Sequence, residues 1–148
     1  MGHLEKDALA TNWRCFLKRD VSKRKLRAGF VGGGQGSFIG GVHRIAVELD
    51  GQAEVVAGAM STDPQRAKDS AEAWYLKRSY SSFQEMAAVE SQLPDGIDFV
   101  MITTPNHMHF PVAKAFLEHG IHVVSDKPMT LTLEEAQQEV ALVEQSNL

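Results

Sequence analysis

The run Phe30-Val31-Gly32-Gly33-Gly34-Gln35-Gly36-Ser37-Phe38-Ile39-Gly40-Gly41-Val42-His43 constrains this chain more than any other stretch. Leu26 to Val31 is a short apolar run, and Val42, Ile45, Ala46 and Leu49 recur at helical spacing, so the glycines fall where a strand hands over to a helix. Glycines at such a junction let the backbone turn sharply and approach a ligand closely. The unpaired N–H groups and the positive dipole end of the helix then favour an anion, and a dinucleotide pyrophosphate suits the place.

The spacing departs from the simple G-x-G-x-x-G pattern. Gly32 and Gly34 take its first two positions, Ser37 stands at the third, and Gly40 is the next glycine in a usable place. A three-residue insertion, Gly36-Ser37-Phe38, restores the register and widens the phosphate turn. The same residues also spell G-x-G-x-G, a pattern used for S-adenosylmethionine, but Phe30 stands where that reading wants an acid. A P-loop is excluded because no Gly-Lys-Ser/Thr closes the run.

A chain of 148 residues, 43% hydrophobic, is one domain with enough apolar side chains for a core. No apolar run approaches the roughly 18 residues of a membrane span, and no secretory signal precedes the domain, so a cytoplasmic protein is expected. Cys15 is the single cysteine, which excludes an internal disulfide framework. The net charge of −4 divides unevenly: residues 1–27 hold eight Lys/Arg against three acids, +5, which leaves −9 for the remainder. Residues 1–25 therefore form a basic arm, and Leu4, Ala8, Leu9, Trp13, Phe16 and Leu17 predict an amphipathic helix over residues 4–19. So short a basic run is the solvated lead-in to a first strand, and neither nucleic acid nor membrane is expected as a partner.

Beyond the glycines, strand and helix alternate. A helix is expected from about 40 to 50 and a buried strand over Ala53 to Ala59. Asp63-Pro64 caps and opens a helix to about Tyr75. Ser82-Phe83-Gln84-Glu85 and Thr132-Leu133-Glu134-Glu135 are capping boxes for two more. Ile97 to Ile102 and Ile121 to Val124 are further strands, and Gly120 stops the helix Pro111 to His119. Apolar strands separated by crossover helices predict an α/β fold, a doubly wound parallel sheet of about five strands covered on both faces. Ligands of such sheets bind at the carboxyl ends of the strands. The chemistry is thus expected in Gly32 to Gly40, Met60 to Asp63, Thr103 to Asn106 and Ser125 to Pro128.

Read together, these segments resemble the N-terminal dinucleotide-binding Rossmann domain of the glucose-fructose oxidoreductase, inositol dehydrogenase and rhizopine-catabolism family (Gfo/Idh/MocA). The likeness runs from about Leu26 to the C-terminus. Its parts are the glycine turn with His43, Thr104-Pro105-Asn106 with His109 beyond it, and Ser125-Asp126-Lys127-Pro128, which is similar to the family's Glu-Lys-Pro motif with Asp126 in place of the glutamate. The resemblance implies an oxidoreductase that uses NAD or NADP on sugars, inositols or related polyols. It implies Lys127 as the catalytic residue, touching the nicotinamide ribose and the reacting hydroxyl. It further implies that Gly32, Gly34, Gln35, Gly36, Ser37, Phe38, Ile39 and Gly40 hold the pyrophosphate. Thr103, Thr104, Pro105, Asn106, His109, Asp126 and Pro128 border the cofactor, and the Lys127-Pro128 peptide is expected to be cis.

The usual NAD selector is an acid at the end of the second strand, holding the adenine ribose 2′-OH. Ser61 fills that place, and Arg66, one turn into the next helix, offers a fork to a 2′-phosphate, so NADP is preferred over NAD. His107, His109, His119 and His122 lack a carboxylate or cysteine at ligand spacing, and no metal is expected. The family's second α/β domain, which lines the substrate and mediates oligomerisation, has no counterpart here. The chain is read as the N-terminal part of such an enzyme, homo-oligomeric when whole. The alternative is a stand-alone, non-catalytic dinucleotide-binding or regulatory module.

Overall fold

A computed structural model describes residues 24–148. The helix expected over 4–19, Cys15 and most of the basic arm lie outside the described residues. Arg24, at the end of that arm, is not a solvated charge. Its guanidinium grips Asp98 with both nitrogens, at 2.7 and 2.8 Å, and the Arg27 N–H donates to the same carboxylate at 2.8 Å. The pair fastens the start of the first strand to the start of the fourth.

The strands are β1 (Leu26–Gly32), β2 (Ala53–Ala59), β3 (Arg78–Ser79), β4 (Phe99–Thr103) and β5 (His122–Ser125). The helices are α1 (Phe38–Glu48), α2 (Pro64–Ala73), α3 (Phe83–Glu90), α4 (His109–Glu118) and α5 (Leu133–Ser146), with a 3-10 turn at Asn106–Met108. All pairings are parallel, in the order β3-β2-β1-β4-β5. This is the doubly wound arrangement the alternation of apolar runs and helices predicts. The chain moves outward from β1 to β3 and then returns to β4, so strand order reverses between β1 and β4. Val31 lies level with Ala59, Gly32 with Thr103, and Ile102 with Ser125, which brings four of the post-strand segments to one edge.

The strands bury both faces, as a covered parallel sheet requires. One face carries Val56, Val100 and Ile102 against Met86 of α3 and Val112 and Phe116 of α4. The other carries Ala28, Phe30, Val55 and Met101, with Val47 of α1 and Trp74 packed on them. The Trp74 ring meets Phe30 edge-on at 5.2 Å and lies 4.9 Å beneath the Arg44 guanidinium.

Two features of the fold go beyond what the sequence patterns show. β3 has no apolar signal of its own; it exists because Arg78 and Ser79 pair with Ala57 and Gly58. The stripe Val42, Ile45, Ala46 and Leu49 is not the packed face of α1. Val42 is 44% exposed, Ile45 66% and Leu49 80%, and Ala46 is exposed too. The packed face runs through Gly40 and Val47, because α1 meets the glycine turn backbone to backbone at Gly40 and has no room there for a large side chain.

Candidate functional site

The glycine turn is built as the sequence spacing requires. Gly32, Gly33 and Gly36 all have positive φ (79°, 75° and 84°), the region that L side chains seldom adopt. A Cβ on Gly32 would come within 3.0 Å of the Thr103 backbone, and one on Gly34 within 2.9 Å of the Met60 carbonyl. Gly40 takes the part of the third fingerprint glycine: a Cβ there would collide with the backbone of Gly33. The widened turn is closed by Ser37 N–H donating to the Gly34 carbonyl at 3.0 Å. Ser37 is the N-cap of α1, its Oγ accepting from the Gly40 N–H at 3.3 Å. The N–H groups of Phe38 and Ile39 stay unpaired within the helix, as first-turn donors must.

A cleft of about 680 Å³ opens over this turn, at the carboxyl ends of β1, β2, β3 and β4. Gly32, Gly34, Gln35, Gly36, Ser37, Ser61, Arg66, Thr103, Thr104 and Pro105 line it. Phe38, Ile39, Gly40, Asn106, His109, Asp126, Lys127 and Pro128 are not on its wall. Ser61 caps its own turn, with Oγ accepting from the Asp63 N–H at 3.1 Å. Arg66 is exposed at the rim, and among the described residues its guanidinium has no ion pair. Thr103 is buried and donates to the Val31 carbonyl at 3.3 Å, tying β4 to β1 where the strand order reverses. Thr104 Oγ1 is buried without a hydrogen-bond partner.

The β5 end forms a second hollow of about 500 Å³, lined by Asp126, Lys127, His122 and Glu139 among others. Lys127 is exposed, its N–H held by Asp126 Oδ1 at 2.8 Å, and the Lys127-Pro128 peptide is cis, as the resemblance implies. His109 corrects an expectation. It is only 1% exposed and does not face the cleft; its Nδ1 lies 2.6 Å from the Pro128 carbonyl and its Nε2 2.9 Å from the Thr104 carbonyl. Both partners are acceptors, so the neutral ring donates to one of them and only the imidazolium to both. His109 therefore laces the β4 turn to the lysine turn from beneath. Glu139 of α5 is also buried, with Oε2 unpartnered. Burial pushes its carboxyl above the ordinary range, His109 opposes that shift, and Glu135 adds to it.

Some cleft residues were not foreseen. Ser81, Ser82, Phe83 and Gln84 line it because β3 ends there. The Ser82 capping box was legible, but its place at the site followed from a strand that was not. Ser70, fully buried in α2, accepts from the Gln35 N–H at 2.9 Å and donates to the Arg66 carbonyl at 2.6 Å. It thereby moors the phosphate turn to α2. Among the described residues no cluster of three metal-ligating side chains occurs, and no helix is long and apolar enough to cross a membrane.

Residues 26–148 match the model of the oxidoreductase family with the NAD-binding Rossmann fold. The Bacillus subtilis oxidoreductase YfiI is 41% identical over 130 residues, covering 86% of this chain and 33% of that protein. An oxidoreductase structure from Sinorhizobium meliloti is 47% identical with a TM-score of 0.79, covering 84% of this chain and 35% of that one. An inositol dehydrogenase homologue from Azotobacter vinelandii, complexed with NADH and myo-inositol, is 37% identical with a TM-score of 0.81 over 84% of this chain and 34% of that one. The chain thus spans about a third of the length of these relatives. A parallel sheet reversing at β1 and β4, a glycine turn leading into α1 and a family match over nearly all the described residues agree: this chain belongs to the Gfo/Idh/MocA oxidoreductase family and is its NAD-binding Rossmann domain.

Proposed function

We propose that this chain is the cofactor-binding part of an oxidoreductase that moves a hydride between a nicotinamide dinucleotide and a sugar, inositol or related polyol. The observation that carries the reading is the glycine turn, with three glycines at positive φ and a fourth against Gly33, facing a cleft at the reversal of strand order. The cleft fits a dinucleotide. Its glycines leave room where a Cβ would clash, the α1 N-terminus favours a pyrophosphate, and the orphan Thr104 Oγ1 awaits a polar partner. The Azotobacter homologue bound to NADH and myo-inositol supports the substrate class.

Gly32 to Ser37 and the first N–H groups of α1 would hold the pyrophosphate, Ser61 and Arg66 the adenosine end, and Thr103 to Asn106 the middle. When bound, the nicotinamide ring supplies the hydride acceptor or donor. Lys127, carried on the turn after β5, presents an ammonium that stabilises negative charge on the substrate oxygen and assists its proton transfer. The polyol follows the myo-inositol of the Azotobacter homologue, a homo-oligomeric whole enzyme is what the family resemblance implies, and the 148-residue chain by itself is expected to bind cofactor without turning over polyols.

The cofactor preference is for NADP. No carboxylate ends β2 to repel a 2′-phosphate, and the unpaired Arg66 guanidinium stands at the rim. Calorimetric titration of wild type, Ser61→Asp and Arg66→Ala with NADPH and NADH tests this. Arg66→Ala should lose about tenfold for NADPH, as a charge-assisted hydrogen bond is worth, and little for NADH. Ser61→Asp should favour NADH. Unchanged ratios would remove the NADP preference, and failure of wild type to bind either cofactor would remove the dinucleotide reading.

A further inference from the structure

Gly40, His43 and Val47 share one face of α1 at i, i+3 and i+7. Gly40 rests on Gly33, and Val47 packs on the Ala28 and Phe30 cluster. His43 is thus a polar residue on a packed stripe. Its Nε2 is shut off from solvent, has no hydrogen-bond partner, and lies 3.8 Å from Asp126 Oδ2. The His43 and Asp126 side chains are 25% and 24% exposed. The other carboxylate oxygen, Oδ1, holds the Lys127 N–H at 2.8 Å. A buried nitrogen without a partner costs free energy, and moving about 1 Å towards Oδ2 would bring this one to hydrogen-bond length.

We propose that His43 is a positioning residue for Lys127, acting through Asp126. By binding Oδ2 it fixes the plane of the carboxylate whose Oδ1 holds the lysine turn. It therefore couples the helix that begins at the phosphate turn to the loop that carries the ammonium. The inference rests on the reading of Lys127 as facing the nicotinamide end of the cofactor, and nothing in it concerns the adenosine end.

Wild type, His43→Ala, His43→Gln, Asp126→Asn and the His43→Ala/Asp126→Asn double variant are compared in two measurements. The first is the Lys127 amide resonance of the ¹⁵N-labelled chain without ligand. The second is calorimetric affinity for NADH and for ADP, which spans the adenosine and pyrophosphate half. His43→Ala should move the Lys127 amide and weaken NADH about fivefold to tenfold, leaving ADP within about twofold. Asp126→Asn should show the same loss, and the double variant no more than either. His43→Gln, whose amide nitrogen reaches about as far as Nε2, should restore wild-type values. A still Lys127 amide, equal losses for NADH and ADP, or additive losses in the double variant would each overturn the proposal. If wild type binds no NADH, the dinucleotide reading falls by itself, and the Lys127 amide in the free chain still decides the role of His43.

Discussion

Gly40 of α1 and Gly33 of the phosphate turn touch backbone to backbone: a Cβ on Gly33 would stand 3.0 Å from the Gly40 Cα, and one on Gly40 would overlap the Gly33 carbonyl. The contact sets how closely the helix N-terminus approaches the turn, and so where an anion can sit. Gly40→Ala should cost about 2–3 kcal/mol by overpacking and abolish measurable dinucleotide binding. Gly41, next to it, has nothing within 4 Å of its Cβ position and lies in the helix interior. Gly41→Ala should be neutral or gain up to about 1 kcal/mol. Urea denaturation of the two variants checks the contrast.

Ser70 should matter to the turn although it is distant in sequence. Ser70→Ala leaves the Gln35 N–H without its acceptor and should cost about 1–2 kcal/mol, with weaker cofactor binding. Denaturation and calorimetry on the same samples test it. A variant that loses stability but keeps full affinity would show that the tether does not shape the turn.

These two sites mark what was and was not legible in the chain. Ala53 to Ala59 reads as a strand to the residue because the run is apolar but for Glu54 near its start. Asp63, Ser82 and Thr132 read as caps because capping is local chemistry: each accepts from the N–H three residues on, at 2.7, 3.2 and 3.2 Å. The carboxylate arms of the two capping boxes land one residue early, on the N–H groups of Ser81 and Leu131. β3 was illegible because two polar residues become a strand only by pairing with β2. The packed face of α1 was not legible because a glycine contact replaced an apolar one and left the hydrophobic stripe outside. The Ser70 tether and the His109 lacing join residues that no periodicity relates.

Alkaline stability should depend on Tyr80. Its hydroxyl donates to Glu90 Oε1 at 2.7 Å, inside a buried cluster where Glu90 also accepts from Arg78 and the Ile97 N–H. Burial, then the bond to Glu90, raises the Tyr80 phenol above its ordinary value near 10. The unfolded chain therefore ionises first as pH rises, so the contribution is complete below about pH 10 and is lost above it. Tyr80→Phe should flatten this part of the alkaline decline while lowering stability at about pH 8 by roughly 1 kcal/mol. Urea midpoints between about pH 8 and about pH 11 provide the check, and an unchanged slope would count against the assignment.

Glu139 is shifted in the same direction as Tyr80, but a carboxyl titrates below neutral pH, so its loss is already present at about pH 7. Its raised carboxyl means that the folded chain holds the proton more tightly than the unfolded chain, so ionisation at neutral pH is a cost. Glu139→Gln should raise the urea midpoint at about pH 7, and the gain should disappear by about pH 4, where both states carry the proton. An equal change at both pH values would instead point to packing around the side chain.

The cleft over Gly32 to Ser37 is proposed as a dinucleotide site. Its most direct measurement is a titration of the ¹⁵N-labelled 148-residue chain with NADPH, following backbone amides by NMR. Saturable shifts are expected, centred on Gly32, Gly34, Gly36, Phe38 and Ile39 and extending to Ser61, Arg66 and Thr104. Glu118 and Gly120, at the far end of α4, should stay still. Shifts confined to other surfaces, or none up to millimolar cofactor in a chain shown to be folded, would contradict it.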